Sequence, residues 1–365
     1  MSPSKQTAAV VGEGGTVVLK EIDVPKPGPG QILVNVVAVA QNPADWKTLL
    51  PAKRCGMVLG CDFSGLVEEL GPDVPEGIRK VGERVAGFLH GGTLPNGAFS
   101  EYVTADAERV LHIPDTWSFE DAAQLGVATY TTAQCLYESH TDLPTPLEPT
   151  STPIPLLVWG GTSSVGQYVV QFAKLSGLYV ITTASPKNFD LVKALGADEV
   201  FDYNDPEVSK KIKDSTQGKL THAVDCISAG KTPVQISDAL SDAGGTVAAI
   251  LVYESPRPSV KVNFSLGYEL LGESYNFPRK WAPASQEDKD RGKKITLFLD
   301  SVLAAFADKI KPNPKLILPN GLASIAEGFE YMKAGKVLYF PVVRLDDHNG
   351  DLTTAIRTSR SAHRN

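Results

Sequence analysis

The chain reads as an α/β protein of two parts, a strand-rich region followed by a doubly wound parallel sheet, and three observations carry that reading. Short apolar segments cut by Gly and Pro fill residues 8–103. From Leu156 onward, apolar strands alternate with amphipathic helices, the pattern of βαβ units on a parallel sheet. With 365 residues and 42% hydrophobic side chains, the chain can bury a sizeable core, and its length suits two domains better than one.

In chain order, the strand candidates of the first part are AAVV (8–11), TVVLKEI (16–22), QILVNVVAVA (31–40), GLVEEL (65–70), ERVAGF (83–88) and AFSEYV (98–103). The pattern then changes: FEDAAQLGVATYTTAQCLYE (119–138) has helical spacing and an acidic first turn, which predicts a helical connector. The prolines of LPTPLEPTSTPIP (143–155) cannot continue a helix, and that segment reads as a surface linker or insertion. Next come LLVWG (156–160), SVGQYVVQFAKLSG (164–177), YVITTAS (179–185), NFDLVKALG (188–196), EVFDY (199–203), HAVDCI (222–227) with a helix after it, and GGTVAAILV (244–252). A helix is predicted over about 293–309. It is followed by KLILP (315–319), a short helix at IAEGFEYMKAG (325–335) and a last strand, LYFPVVRL (338–345). The polar residues from Asp346 onward read as disordered. No internal repeat is evident.

Composition excludes several function classes. A formal net charge of -7 and the lack of a basic stripe argue against nucleic acid or an anionic membrane as the main partner. Cys55, Cys61, Cys135 and Cys226 are too few and too scattered for a disulfide framework and read as thiols of a reducing compartment. The opening MSPSKQTAAVVGEGG lacks a signal-peptide apolar run, and no stretch approaches a membrane span. A cytoplasmic, soluble protein is expected.

The strand LLVWG runs into GGTSSVG and then into a helix. A turn without Cβ atoms lets a pyrophosphate approach, and the helix N-terminus offers unpaired N–H groups and the positive end of its dipole. Gly161, Ser163 and Gly166 occupy the three fingerprint positions, with Ser at the middle one. A tight strand-to-helix turn without a ligand also uses such glycines, but the βαβ setting favours a Rossmann dinucleotide site. The second strand ends in Ser185, Pro186, Lys187 and Asn188 rather than the acidic residue that holds ribose hydroxyls. A hydroxyl, an ammonium and an amide suit a 2′-phosphate, so NADPH is favoured over NADH.

These residues, with AVAQNPADWK (38–47), LGCDFSGLVEELG (59–71), VGERVAGF (81–88), GAFSEYV (97–103) and SPKNFDLVKALGADEVFDY (185–203), resemble medium-chain dehydrogenases/reductases over nearly the whole chain. Within them, the likeness is to zinc-free quinone oxidoreductases and, more narrowly, to fungal trans-acting enoyl reductases of polyketide pathways. The resemblance implies a GroES-like domain formed by residues 1–126 and 308–365 and a Rossmann domain over 127–307. Zinc members carry a Cys where Gln41 or Asn42 stands and a GHE motif where Gly60, Cys61 and Asp62 stand. They also carry a cysteine-rich loop that is absent between Gly87 and Gly97. A four-coordinate zinc site is therefore not expected.

The resemblance further implies cofactor contacts at Ala44, Asp45, Trp46, Lys47, Ser163, Ser164, Val165, Gly166, Ser185, Pro186, Lys187, Asn188, Tyr203, Ile250, Leu251, Leu338 and Tyr339. It implies a substrate pocket along Gly126, Val127, Ala128, Thr129, Tyr130, Thr131, Thr132 and Ala133, and again at Gly267, Tyr268, Glu269, Leu270 and Leu271. The leading expectation is hydride delivery from NADPH to an activated alkene (an enoyl thioester or enone) or a quinone. Lys47, Thr129 and Tyr130 are its catalytic candidates. The substrate is a small molecule or a chain tethered to a polyketide synthase's carrier. The rival class is a non-catalytic or regulatory NADPH-binding protein. The charged stretch KWAPASQEDKDRGKK (280–294) reads as an insertion that shields a surface and favours a monomer over a homodimer.

Overall fold

The structure is a computed structural model and describes residues 2–49, 54–276, 281–336 and 338–345. The tail from Asp346, expected to lack order, lies outside the described residues. The chain begins with a hairpin, β1 (Lys5–Val11) and β2 (Val17–Asp23), in which Lys5 faces Asp23. Next come β3 (Gln31–Ala40), helix α1 (Pro43–Lys47), β4 (Asp62–Leu70), β5 (Arg84–Phe88), β6 (Tyr102–Asp106) and β7 (Leu111–His112). Helix α2 (Phe119–Ala122) leads into α3 (Gly126–Ala133), which widens into a π-type turn over Gln134–Glu138.

The alternating part runs β8 (Pro155–Trp159), α4 (Ser164–Leu175), β9 (Tyr179–Ala184), α5 (Phe189–Ala194), β10 (Glu199–Asp202), α6 (Val208–Ser215), β11 (His222–Asp225), α7 (Thr232–Ala239), β12 (Gly245–Ala249) and β13 (Val260–Phe264). A short hairpin, β14 (Tyr275–Asn276) and β15 (Trp281–Ala282), precedes α8 (Gln286–Phe306), β16 (Lys315–Leu318), α9 (Ile325–Lys333) and β17 (Phe340–Arg344).

Strands β8 to β13 make one parallel sheet in the order β10-β9-β8-β11-β12-β13. The order reverses beside β8, so a crevice opens at the carboxyl ends of β8 and its neighbours, where such sheets collect ligands. Helices cover both faces, which is why β8 reads as a continuous apolar run: Leu156, Leu157 and Val158 are fully buried. Each contributes about 1.5–3 kcal/mol by leaving water. The second sheet runs β16-β17-β3-β4-β5-β7 with β6 also on β3, so strands from both chain ends share it. Val342 pairs with Ala40, and Lys315 with Phe340. Among the described residues, no helix is long and apolar enough to cross a membrane.

Three expectations shift. Helix α8 starts at Gln286, well before 293, because Ser285 caps it by accepting from the Asp288 N–H at 3.2 Å and Glu287 and Asp288 fill its first turn. Residues 286–294 of the supposed insertion are therefore helix, while residues 277–280 lie outside the described residues. The proline-rich segment is seated at both ends: Leu143 is buried, and the Thr150 N–H donates to the Ser176 carbonyl at 3.0 Å. The strand expected at 98–103 begins only at Tyr102, with a lone bridge from Ser100 to Ala8 before it.

Candidate functional site

The turn between β8 and α4 is shaped by close approach. Gly160 takes φ +82°, and a Cβ there would lie 2.6 Å from the Ile227 side chain. A Cβ on Gly166 would lie 2.2 Å from the Gly160 carbonyl oxygen, so only glycine lets the helix start so near the strand. Ser163, at the middle fingerprint position, caps α4: its hydroxyl accepts from the Gly166 N–H at 3.0 Å. The Ser164 and Val165 N–H groups lie in a first helical turn, where no intrahelical acceptor is available. The cradle fits the pyrophosphate of a dinucleotide.

Beside the turn lies a crevice of about 610 Å³, lined by Trp159, Gly160, Thr162, Thr183, Tyr203, Asn204, Asp205, Pro206, Ile227, Lys231, Thr232 and Gln235. Tyr203 and Ile227, both more than two-fifths exposed, offer it apolar faces. The Asp225 carboxylate shapes the far wall by accepting from the Ile227 and Ser228 N–H groups at 3.0 and 2.7 Å and from the Thr232 hydroxyl at 2.7 Å. Asp205, the carboxylate on the near wall, is ion-paired with Lys211. Past the end of β9, Asn188 donates to the Ser185 hydroxyl at 3.1 Å, and Pro186 and Lys187 are exposed.

A second constellation gathers where β4 begins. Asn42 bridges two buried carboxyls: its N–H donates to Asp45 at 2.6 Å and its side-chain amide to Asp62 at 2.9 Å. The other Asp62 oxygen accepts from the Val127 N–H at 2.7 Å, so Asp62 holds the start of α3 against the loop that carries α1. A Cβ on Gly126 would lie 2.2 Å from that oxygen. Burial pushes the Asp45 carboxyl up to about 7, against hydrogen bonds from Cys61 and Asn42, and the Asp62 carboxyl up to about 8, with the nearby Asp45 charge adding to it. Buried Cys61 meets the Tyr268 hydroxyl at 3.2 Å, and the Tyr268 ring stacks on His90 with centroids 4.0 Å apart. Burial, helped by the Arg54 charge, lowers His90 to about 4, so its ring is neutral. Among the described residues, no group of three or more His, Cys, Asp or Glu is disposed to hold a metal ion.

The structure places the sequence-derived residues unevenly. Ser163 to Gly166 form the turn, Ser185 to Asn188 follow β9, the strand paired with β8, and Tyr203 lines the crevice. Ile250 and Leu251 are half-buried just past β12, as is Leu338, and Tyr339 is half exposed. Ala44, Trp46 and Lys47 keep accessible surface, with the Lys47 ammonium 5.6 Å from the Trp46 ring.

Several expectations are corrected. Asp45 is 1% exposed and turned into the protein as the N3 residue of the α1 capping box, so its carboxylate is not at a cofactor surface. Tyr130 is not a cavity hydroxyl: it is buried, its ring packs on Phe88 at 5.0 Å, and its OH is held by Thr296 at 2.7 Å and the Arg109 carbonyl at 3.1 Å. Thr129 is fully buried and donates its hydroxyl to the Leu125 carbonyl. Within Gly126 to Ala133 only Val127 is partly exposed, so Ala128, Thr131, Thr132 and Ala133 serve packing. Leu270 and Leu271 likewise pack inward, the Leu270 carbonyl 2.0 Å from where a Cβ on Gly292 of α8 would stand. Gly267, Tyr268 and Glu269 remain partly exposed.

Residues the sequence reading missed are Ile227, Lys231, Thr232 and Gln235 of the crevice wall and the contact between Cys61 and Tyr268. The first set follows the carboxyl end of β11, where ligands of such sheets collect, and that rule could have flagged it. The Cys61–Tyr268 contact joins residues 207 apart, and no local pattern announces it.

Comparison with known proteins completes the picture. Residues 28–115 match the alcohol dehydrogenase GroES-like domain family and residues 164–270 the zinc-binding dehydrogenase family. In solved structures, the fold is shared with the CurK enoyl reductase, at TM-score 0.76 and 20% identity over 94% of this chain and 100% of that one. A mycobacterial protein solved with NADPH aligns at TM-score 0.71 and 22% identity over 93% and 100% of the two chains. A GroES-like sheet joined to a Rossmann-like parallel sheet makes this an oxidoreductase of the medium-chain dehydrogenase/reductase class. Among sequences, a trans-enoyl reductase of Alternaria alternata is 41% identical over 90% of this chain and 96% of its own length. One of Fusarium heterosporum is 35% identical over 91% and 97%. The chain belongs to this family of fungal trans-enoyl reductases.

Proposed function

We propose that the protein reduces the activated carbon–carbon double bond of an enoyl thioester with NADPH, acting in the cytoplasm on chains tethered to the carrier of a polyketide synthase. The observation that carries this reading is the glycine turn of α4 beside a β9 end that presents Ser185, Lys187 and Asn188, in a chain 41% identical to a trans-enoyl reductase. The Ser164 and Val165 N–H groups receive the pyrophosphate, Tyr203 and Ile227 flank the adenosine, and Lys187 takes the 2′-phosphate.

Bound there, NADPH supplies the hydride. The chain supplies geometry and charge. Lys47, at the exposed end of α1, is the cation for the substrate carbonyl, where negative charge gathers once a hydride reaches the β-carbon. Conjugation lets that charge rest on oxygen, so a hydrogen-bond donor suffices where an isolated alcohol would call for a Lewis acid.

The test follows NADPH absorbance with enone, enoyl thioester, carrier-tethered enoyl, quinone and primary alcohol substrates, alongside titrations of NADPH and NADH. Alkene reduction with tighter NADPH binding is expected. Alcohol oxidation without alkene reduction overturns the proposed reaction, and silence on every substrate despite tight NADPH binding transfers the case to a non-catalytic role.

A further inference from the structure

Adding hydride to the β-carbon of a conjugated alkene leaves an enolate, and the α-carbon must then gain a proton from some group on the protein or from water. The tyrosines along α3 differ in their freedom to provide it. Tyr130 is buried with its hydroxyl between Thr296 and the Arg109 carbonyl. The hydroxyl of Tyr137, on the turn that continues α3, sits with Ser176 at 3.0 Å. Tyr168, on α4 against α3, is fully buried in the core. Tyr268, a partly exposed residue, alone of these four has its hydroxyl against a thiol, a weak hydrogen-bond partner that a substrate can replace at small cost.

Its surroundings hold it still. The ring lies on the neutral ring of buried His90, tilted by 21°, and Cys61 fixes the hydroxyl from the start of β4. Its place along α3 also suits the task. Near the far end of that helix, the Thr132 hydroxyl reaches the Val165 carbonyl at 3.4 Å, beside the glycine turn. At the near end, Val127 is bound to Asp62, the residue after Cys61. From Val127 to Thr132 the helix rises about 7.5 Å, so α3 links the Cys61 neighbourhood to the glycine turn. The loop carrying α1, with Lys47, packs on the same spot through Asp45 and Asn42.

We propose that Tyr268 is the proton donor to the α-carbon of the reduced alkene, aimed by Cys61 and braced by His90. This rests on the reading of the chain as an alkene reductase. Hydride forms the new bond at the β-carbon, and the π pair moves onto the α-carbon and carbonyl. The Tyr268 O–H bond then breaks, its proton bonds to the α-carbon, and the phenolate regains a proton from water after product leaves. The sum is one hydride from the cofactor and one proton from solvent for each double bond.

The experiment compares wild type, Tyr268→Phe and Cys61→Ala with an enone, in ordinary water and in D2O, and measures NADPH affinity by fluorescence on each. Tyr268→Phe is expected to bind NADPH within twofold of wild type and to lose at least tenfold in kcat. Its product in D2O should carry deuterium at the α-carbon in both configurations, where wild type gives one, because water then protonates the enolate from either side. Cys61→Ala, which leaves the phenol in place, is expected to lose several-fold in kcat. A Tyr268→Phe enzyme with unchanged kcat and a single α-configuration overturns the proposal and leaves alkene reduction standing. If Tyr268→Phe does not fold, a Cys61→Ala enzyme with wild-type kcat and a single α-configuration overturns the aimed donor. A wild-type protein inert toward alkenes refutes instead the reading on which the proposal rests.

Discussion

The two ends of α3 are built on different principles. At the glycine turn, the proposed cofactor site rests on what the backbone lacks: side chains are absent where a phosphate would approach, and the helix offers its own N–H groups. At the Cys61 end, the proposed site is made of side chains brought together by packing, with Asn42, Asp45, Asp62, His90 and Tyr268 drawn from four separate stretches of chain. A site made of local backbone tolerates little at a few positions. A site made of tertiary contacts spreads its sensitivity over many weaker links.

The sharpest way to break this contrast is Gly166→Val. Its β-carbon would collide with the Gly160 carbonyl, so NADPH binding should weaken at least about 100-fold, or about 2.7 kcal/mol, as read by titration calorimetry. Ordinary NADPH affinity in that variant would move the cofactor away from the turn. At the same end, Lys187→Glu should weaken NADPH about tenfold and leave NADH nearly unchanged, because the side chain is exposed and acts only through the 2′-phosphate.

At the other end, the sensitivity should be to pH. Asp45 and Asp62 hold protons in the folded state at pH values where the unfolded chain has released them, so stability rises as pH falls from about 8 toward the unfolded carboxyl range and is lost as pH rises. Denaturant melts between pH 5 and 9 should show that slope. Asp62→Asn, which cannot ionise, should flatten it by on the order of 2 kcal/mol; an unchanged slope would mean the carboxyl is already ionised in the folded protein. The smallest effect is expected from Tyr130→Phe. It should cost about 1 kcal/mol of stability through the lost bonds to Thr296 and the Arg109 carbonyl while kcat stays put, and a fall in kcat would return Tyr130 to the site.

The same contrast explains what could be read from the sequence. The βαβ alternation, the order of elements and the turn from Gly160 to Gly166 are local patterns, and they were legible. Tyr130 misled because a tyrosine on a helix carries no mark of which face is buried when nearly every side is apolar or small, as in GVATYTTA. The start of α8 was hidden because its first turns, QEDKDRGK, are charged and show no apolar stripe until Ile295. Tyr268 was assigned only to a pocket wall; its pairing with Cys61 depends on how the loop after β13 lies against the other sheet.

The last strand has a consequence for how this molecule is made. β17, at 340–344, pairs with β3, at 31–40, and lies between it and β16. On a ribosome, the whole parallel sheet, at 155–264, emerges before β16 and β17 do. The sheet begun by β3, before the parallel one, is thus finished after it. Until the final strand arrives, β3 presents an open edge along Ala38 to Ala40, beside the Asn42 turn that carries Lys47. A stalled or truncated chain should thus be able to bind nucleotide on its parallel sheet before the edge beside Lys47 has closed.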